Sequence, residues 1–138
     1  MTNQIICVST SVPKDIHFVW ERWTKPEHII HWNFAADDWI CPRASNDLRV
    51  DGRFNWRMEA KDGSSGFDFT GRYTLIDEHK RLEYSLDDAR KVSTQFNALP
   101  TGVELVETFE AEDENTIELQ TMGWQAILDN FKQYCLTD

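Results

Sequence analysis

One acidic residue lies, by its spacing, among residues that face a protein core. Alternate residues of a β-strand point to the same side, so between Val103 and Phe109 the side chain of Glu107 shares a face with Leu105. A carboxyl group on an apolar face must be hydrogen-bonded, paired with a cation, or kept protonated by a raised pKa. Such a group suits general acid–base chemistry, and Glu107 is the only catalytic candidate that the sequence offers. The alternative is a bulge or a splayed strand end that exposes Glu107 to water.

A pair of histidines three residues apart is the second spacing that could support chemistry. On a helix, His28 and His31 would share one side, and Asp37 and Asp38 follow shortly after. This spacing leaves the third ligand undetermined, so a solvated helix surface is the favoured interpretation. We therefore expect no metal ion and no cofactor.

Other patterns typical of catalysis or cofactor binding are missing from the sequence. The three cysteines, Cys7, Cys41 and Cys135, form no C-x-x-C pair, and we interpret them as buried, reduced thiols. Residues 63–66 are too short for a G-x-S-x-G nucleophile elbow, and Asp62 followed by glycine indicates a hairpin turn. Neither of the two common phosphate-binding glycine loops occurs.

Aromatic side chains form the other candidate site. Nine of them are predicted to line a pocket for an apolar ligand, because they fall on inward positions of strands and helices or near the expected mouth of the pocket. They are Trp32, Phe54, Trp56, Phe69, Tyr73, Tyr84, Phe96, Trp124 and Phe131. Aromatic residues at these spacings commonly fill a core, and that interpretation stays open beside ligand contact.

The first elements that position these side chains are a strand and two helices. Residues 4–10 are rich in β-branched types and predict a strand. A helix is predicted to follow with Ser11 as its cap, and its apolar side chains recur every third or fourth residue up to Trp23. The sequence from Thr24 to Glu27 resembles a capping box and predicts a second, short helix.

A sheet and a long helix account for the rest of the chain. From about residue 38 to residue 110 the apolar residues alternate with polar ones, and short polar turns interrupt them. Short connections indicate an antiparallel meander, since parallel crossovers need a dozen or more residues. Helical spacing predicts a long helix from about Thr116 to Cys135, capped by Asn115.

Length, composition and charge limit the class of protein and its partners. The 138 residues predict one domain, 1–138, and the apolar fraction of 41% excludes a disordered chain. Fourteen basic against twenty-four acidic residues give a net charge of −10, which disfavours nucleic acid and anionic membranes as partners. The first residues lack the pattern of a signal peptide. We expect a cytoplasmic monomer.

Several short motifs, in order along nearly the whole chain, resemble those of one protein superfamily. They are Val19-Trp20 with residues 23–28 and Trp32 (VW…T.PEH…W), residues 47–54 (DLRVDGRF), residues 69–76 with 81–84, residues 108–110, and residues 123–130. Together they resemble the SRPBCC (START-like) superfamily, and within it the C-terminal domain of the heat-shock-protein-ninety ATPase activator. Asp51 stands where that family usually has glycine.

The resemblance implies an α+β fold of the helix-grip type. In this fold a curved antiparallel sheet of about six or seven strands wraps around a long C-terminal helix, and two short helices follow the first strand. Members of the superfamily often enclose a cavity for an apolar ligand between the sheet and that helix. They include lipid carriers, polyketide cyclases and co-chaperone modules, so the fold alone does not select a function.

Three functions remain open at this stage. The favoured one is non-catalytic binding of a small hydrophobic or amphipathic ligand in the cavity. The second is a protein-interaction module for a chaperone, for which the acidity could match a basic surface. The third is an enzyme of the cyclase or hydrolase type that uses the same cavity, and in it Glu107 would be the acid or base.

Overall fold

The computed structural model describes residues 4–137, which form seven strands and three helices. The strands are β1 (Ile5–Val12), β2 (Trp39–Asn46), β3 (Arg53–Ala60), β4 (Gly66–Asp77), β5 (Arg81–Leu86), β6 (Lys91–Leu99) and β7 (Gly102–Glu110). The helices are α1 (Ile16–Thr24), α2 (Pro26–Ile29) and α3 (Ile117–Thr137). The domain predicted over 1–138 also includes residues 1–3 and 138, which lie outside the described residues.

All seven strands belong to one antiparallel sheet in the order β1-β7-β6-β5-β4-β3-β2. The strands from β2 to β7 are neighbours in both sequence and space, as their short turns predict. The first strand instead pairs with the last one, and its register runs from Ile5 opposite Glu110 to Val12 opposite Val103. The first strand therefore forms one edge of the sheet beside the last strand, and β2 forms the other edge.

The core lies between one face of the sheet and the helices. Strand β3 shows how the alternation selects that face, since Phe54, Trp56 and Met58 are buried while Asn55 and Arg57 between them are not. Helix α3 contributes Phe131, which is 0% exposed. This arrangement confirms the predicted α+β helix-grip fold. None of the helices described between residues 4 and 137 is long and apolar enough to cross a membrane.

The predicted start of the first helix is wrong. Strand β1 continues through Ser11 to Val12, because the pairing with β7 extends that far. The helix begins at Ile16, and Asp15 is its cap, since the backbone N–H of Phe18 donates a 2.9 Å hydrogen bond to the Asp15 carboxylate.

The other two predicted caps are also wrong. The hydroxyl of Thr24 donates to the carbonyl of Trp20 inside α1 at 2.7 Å, so it does not cap α2, and Lys25 occupies the cap position without a side-chain hydrogen bond. At the start of α3, the backbone N–H of Leu119 donates to the Thr116 hydroxyl at 3.1 Å, which makes Thr116 the cap instead of Asn115.

The three cysteines, all within the described residues, form no disulfide with one another, and only two of them are buried. Cys41 and Cys135 lie in the core, and burial raises the pKa of Cys41 to about 11. Cys7 is exposed, contrary to the sequence interpretation, because it alternates with the buried residues Ile6 and Val8 and points to the outer face of the sheet.

Candidate functional site

A cavity of about 510 Å³ lies between the concave face of the sheet and helix α3. Strands β3, β4, β5 and β7 form one wall, α3 forms the opposite wall, and α1 with the segment after α2 closes one end. Its volume is typical of a site for a small molecule. The apolar side chains in the wall are Trp23, Trp32, Trp56, Met58, Phe67, Phe69, Tyr84, Leu86, Trp124 and Ile127.

Neighbouring strands bring the aromatic rings of the wall together. Trp56 of β3 lies opposite Phe69 of β4 in the register, and their rings are nearly parallel at a centroid distance of 5.6 Å. At the side of the cavity, Trp124 of α3 stacks directly on Phe109 of β7, with their centroids 3.8 Å apart. Offset-stacked rings of this kind stabilise the wall and leave further faces available for an apolar guest.

Five of the nine aromatic residues predicted to contact a ligand line this cavity. They are Trp32, Trp56, Phe69, Tyr84 and Trp124. The structure places the other four in the core beside it. These are Phe54, which stacks under Trp56, Tyr73, whose hydroxyl donates to Asn46, Phe96, which packs on Trp20, and Phe131, which packs on Trp23.

Several wall residues escaped the sequence interpretation. Trp23 was assigned to the buried stripe of its helix, and Met58 and Ile127 were assigned to core faces, although all three reach the cavity. The polar residues Asn33 and Arg90 lie in connecting segments, where periodicity carries no information about direction. Gln120 is on α3 one turn before Trp124, and that spacing could have identified it.

Glu107 lies in the wall of the cavity on the inward face of β7, as the alternation predicts. Its side chain is 3% exposed, and the register between β6 and β7 is continuous there, so no bulge turns the carboxyl group to water. The hydroxyl of Thr94 on β6 donates to Glu107 Oε2 at 2.9 Å. Within the described residues, Oε1 accepts no hydrogen bond. Burial raises the pKa of Glu107 from 4.5 to about 7, and the hydrogen bond from Thr94 opposes part of that rise.

The other carboxylates on the cavity's sheet side have arginine partners. Arg57 lies 3.5 Å from Asp68, and Arg53 lies 2.7 Å from Asp87. Arg90 lies 2.7 Å from Asp88 at the β5–β6 turn. No basic side chain within residues 4–137 pairs with Glu107. Glu112, in the loop after β7, also lacks a cation there, but both of its oxygens accept hydrogen bonds from Asn115.

The two histidines of the predicted helix face lie apart from the cavity. His28 Nδ1 shares a 2.5 Å hydrogen bond with the Tyr134 hydroxyl, and the ring of His31 stacks on Tyr134 at 5.5 Å. These contacts join α2 and the turn after it to α3. In the described part of the chain, no group of three or more potential ligands could hold a metal ion.

Comparisons of sequence and structure converge on one group of proteins. Residues 15–135 match the family model described as Activator of Hsp90 ATPase homolog 1-like protein. The solution structure of an AHSA1-like protein from Aeromonas hydrophila is 43% identical, superimposes with a TM-score of 0.91, and matches over 97% of this chain and 93% of its own. A Cytophaga hutchinsonii protein is 40% identical with a TM-score of 0.80, and the match covers 98% of this chain and 92% of that one.

More distant structures share the fold. A protein from Chromobacterium violaceum is 20% identical, has a TM-score of 0.85, and matches over 94% of this chain and 96% of its own, a likeness that shows the fold alone. The comparison with curated proteins finds no match.

Proposed function

The chain belongs to the family of Activator of Hsp90 ATPase homolog 1-like proteins, and from that premise we propose that it binds a small hydrophobic or amphipathic molecule in the cavity between its sheet and α3. The observation that carries this proposal is the cavity itself. Its volume of about 510 Å³ and its aromatic wall are those of a small-molecule site. Removing apolar surface of the guest from water supplies the driving force.

The empty volume of the cavity also favours ligand binding over the interpretation that its aromatic residues only fill a core. A close-packed core leaves few voids larger than a water molecule, whereas this cavity is many times that size. Gly123 of α3 lines it, and a Cβ atom built on this glycine meets no other atom within 4 Å. The helix therefore presents open volume at this position, where a side chain would fill it.

Filling that volume tests the proposal. We expect wild-type protein to bind the uncharged fluorescent probe N-phenyl-1-naphthylamine with one-to-one stoichiometry. Gly123→Phe should fold normally but weaken binding more than roughly tenfold, because the ring occupies the space of the guest. Gly123→Ala is the matched control, since it gains helix propensity of up to about 1 kcal/mol and should bind the probe like wild type.

Two measurements determine the outcome of this experiment. Fluorescence titration gives the dissociation constant, and thermal unfolding shows that each variant is folded. If Gly123→Phe remains folded and binds the probe as tightly as wild type, the guest lies elsewhere and the proposal is wrong. Native mass spectrometry of freshly purified protein adds an independent check, since a retained cellular ligand appears as a mass increment.

A role as an interaction module for a chaperone stays a prediction. It rests on the description of the matched family and on the net charge of −10, which could face a basic surface. Co-purification of the host's Hsp90-type chaperone with wild-type protein would support it. Saturating the cavity with the probe before the pull-down would then show whether the two activities depend on each other.

A further inference from the structure

One carboxylate oxygen in the cavity wall accepts no hydrogen bond from the described residues. Glu107 is 3% exposed, and Thr94 satisfies only Oε2 of its carboxyl group. The other oxygen belongs to a side chain that lines the cavity. Burying a carboxylate without a cation or a full set of hydrogen bonds is costly, so a guest that supplies the missing partner gains that energy on binding.

Aromatic rings lie in the row of the sheet next to this carboxyl group. Phe109 follows two residues later on the same face of β7, and Trp124 of α3 covers it at 3.8 Å. Tyr84 of β5 lies in the same row as Phe109, because Val92 of β6 pairs with both, and its pKa is raised well above its ordinary range by burial and then by the charge of Glu107. The face of an aromatic ring attracts cations and repels anions. The carboxylate and the ring faces therefore both favour a positively charged group on the guest.

The remaining charged groups near Glu107 do not reverse that preference. Tyr84 is neutral at physiological pH, since its pKa is raised. Arg90 at the β5–β6 turn is held by Asp88 at 2.7 Å and donates to the Glu110 carbonyl at 3.5 Å. Two further acids in the wall, Asp68 and Asp87, have their own arginines. Glu112, in the loop after β7, adds a second carboxylate to the lining.

Within the described residues, the elements that face β7 across the cavity place no basic side chain in its wall. Helix α3 presents Gln120, Trp124 and Ile127 to it, and the segment after α2 presents Trp32 and Asn33. A guest's head group in the part of the cavity beside Glu107 therefore meets carboxylate oxygens, amides and ring faces.

We propose that the ligand carries a positively charged head group of the ammonium type, which binds the carboxylate of Glu107 between the aromatic rings while its apolar part fills the rest of the cavity. This inference rests on the proposed function and names the chemical class of its ligand. It also assigns Glu107 a binding role that requires no catalysis.

Protonation of Glu107 then controls affinity. The carboxyl group attracts a cation only when ionised, and its pKa of about 7 places that change near neutral pH. The affinity for a permanently charged ammonium ion should rise with pH through about 7. An uncharged guest of the same shape gains nothing from ionisation, and its affinity should not rise.

Three guests with one apolar chain and different heads test the proposal. They are the octyltrimethylammonium ion, 1-octanol and octanoate. Calorimetry measures the dissociation constant of each at pH 8 and at a pH well below the pKa of Glu107. We expect the cation to bind roughly tenfold more tightly than octanol at pH 8, octanoate to bind most weakly, and the cation's advantage to disappear in acid.

Two variants separate Glu107 from the general acidity of the protein. Glu107→Gln should abolish the preference for the cation and leave the affinity for octanol within about twofold of wild type. Glu104→Gln is the matched control, because it removes the same charge from the outward face of the same strand and should keep the preference. Thermal unfolding shows that both are folded.

A third variant covers the case in which Glu107→Gln does not fold. Thr94→Val removes the hydroxyl that donates to Glu107 and preserves the side-chain shape. Because that hydrogen bond lowers the pKa of Glu107, its loss should move the rise in cation affinity to higher pH.

The outcomes distinguish the two proposals. Equal binding of all three guests, tightest binding of octanoate, or a cation preference that survives Glu107→Gln overturns the ammonium inference and leaves ligand binding standing. An unmoved pH profile in Thr94→Val overturns it as well. Failure of every guest and of the fluorescent probe to bind overturns both.

Discussion

At the scale of single residues, Glu107 makes the stability of the fold depend on pH near neutrality. The unfolded chain exposes its carboxyl group to water, whereas the folded protein encloses it in an aromatic wall and holds its pKa near 7 instead of 4.5. The folded protein therefore binds the proton more tightly than the unfolded chain between these pH values. By linkage, the stability that Glu107 contributes is present below about pH 4.5 and is lost as the pH rises to about 7.

Glu107→Gln should remove this pH dependence. Relative to wild type, the free energy of unfolding of the variant should increase by up to about 3 kcal/mol between about pH 4.5 and about pH 8, since the amide never ionises. Urea unfolding at several pH values measures the difference. Glu104→Gln should follow the wild-type curve. Parallel curves for Glu107→Gln and wild type would mean that the carboxyl group is solvated in the folded protein.

The backbone angle φ of Asp51 explains why the DLRVDGRF motif favours glycine at this position. It replaces the glycine that is usual at this place in the family motif, and its φ of 68° lies in the left-handed region that favours glycine. Aspartate tolerates this region better than most residues. Its backbone N–H donates to the Tyr73 carbonyl at 2.8 Å, which fixes the turn before β3. The sequence could identify the motif but not the reason for its glycine.

At the scale of elements, α3 serves two purposes along its length. Its first half lines the cavity through Gln120 and Trp124, and its second half fills the core through Leu128 and Phe131. The apolar spacing predicted one continuous buried face. The structure differs because the cavity lies beside the first half of the helix, which leaves Trp124 only partly buried.

This division predicts different costs for two alanine substitutions. Phe131→Ala should destabilise the protein by about 3–5 kcal/mol, because the ring is fully buried against Trp23 and Trp32. Trp124→Ala should cost only about 2 kcal/mol, since its ring already borders open volume, but it should weaken probe binding by more than Phe131→Ala does. Denaturant unfolding and probe titration test both. Equal stability losses would contradict the division.

The predicted elements were right where periodicity determines them and wrong where hydrogen bonding competes. Alternation and short turns correctly predicted an antiparallel meander, because burial of one face requires period two. The caps at Ser11, Thr24 and Asn115 were wrong. Ser11 belongs to β1 because the strand pairing extends past it. The Thr24 hydroxyl donates to the Trp20 carbonyl, and the Thr116 hydroxyl, not Asn115, accepts the capping hydrogen bond of α3.

At the scale of the whole molecule, the sequence could predict that a cavity exists between the sheet and the long helix, but not which residues line it. Alternation shows which side of the sheet a ring faces, and it correctly placed Trp56 and Glu107 on the inner side. The curvature of the sheet decides whether an inward ring reaches the cavity or lies in the core, as Phe54 and Phe96 do. Curvature arises from twist accumulated over seven strands and leaves no local signal in the sequence.

Charge is the other property of the whole molecule that bears on binding. The net charge of −10 creates a negative potential around the protein that attracts cations from a distance. This long-range field speeds the approach of an ammonium guest, whereas the local attraction of Glu107 sets its equilibrium preference over octanol. They respond differently to salt, because mobile ions screen exposed charges over about 10 Å at 0.1 M and screen buried ones much less.

Raising the salt concentration should therefore separate the two contributions. Between about 0.01 M and about 0.3 M NaCl, the association rate of the octyltrimethylammonium ion should fall several-fold, because screening weakens the field that steers it. Its equilibrium advantage over octanol should largely persist, since Glu107 is 3% exposed and salt screens buried charges much less than exposed ones. Stopped-flow quenching of tryptophan fluorescence gives the rates, and calorimetry gives the equilibrium ratio. The contradicting result would be a cation advantage over octanol that salt removes at the same concentration in wild type and in Glu107→Gln. The surface field, and not the buried carboxylate, would then select the cation.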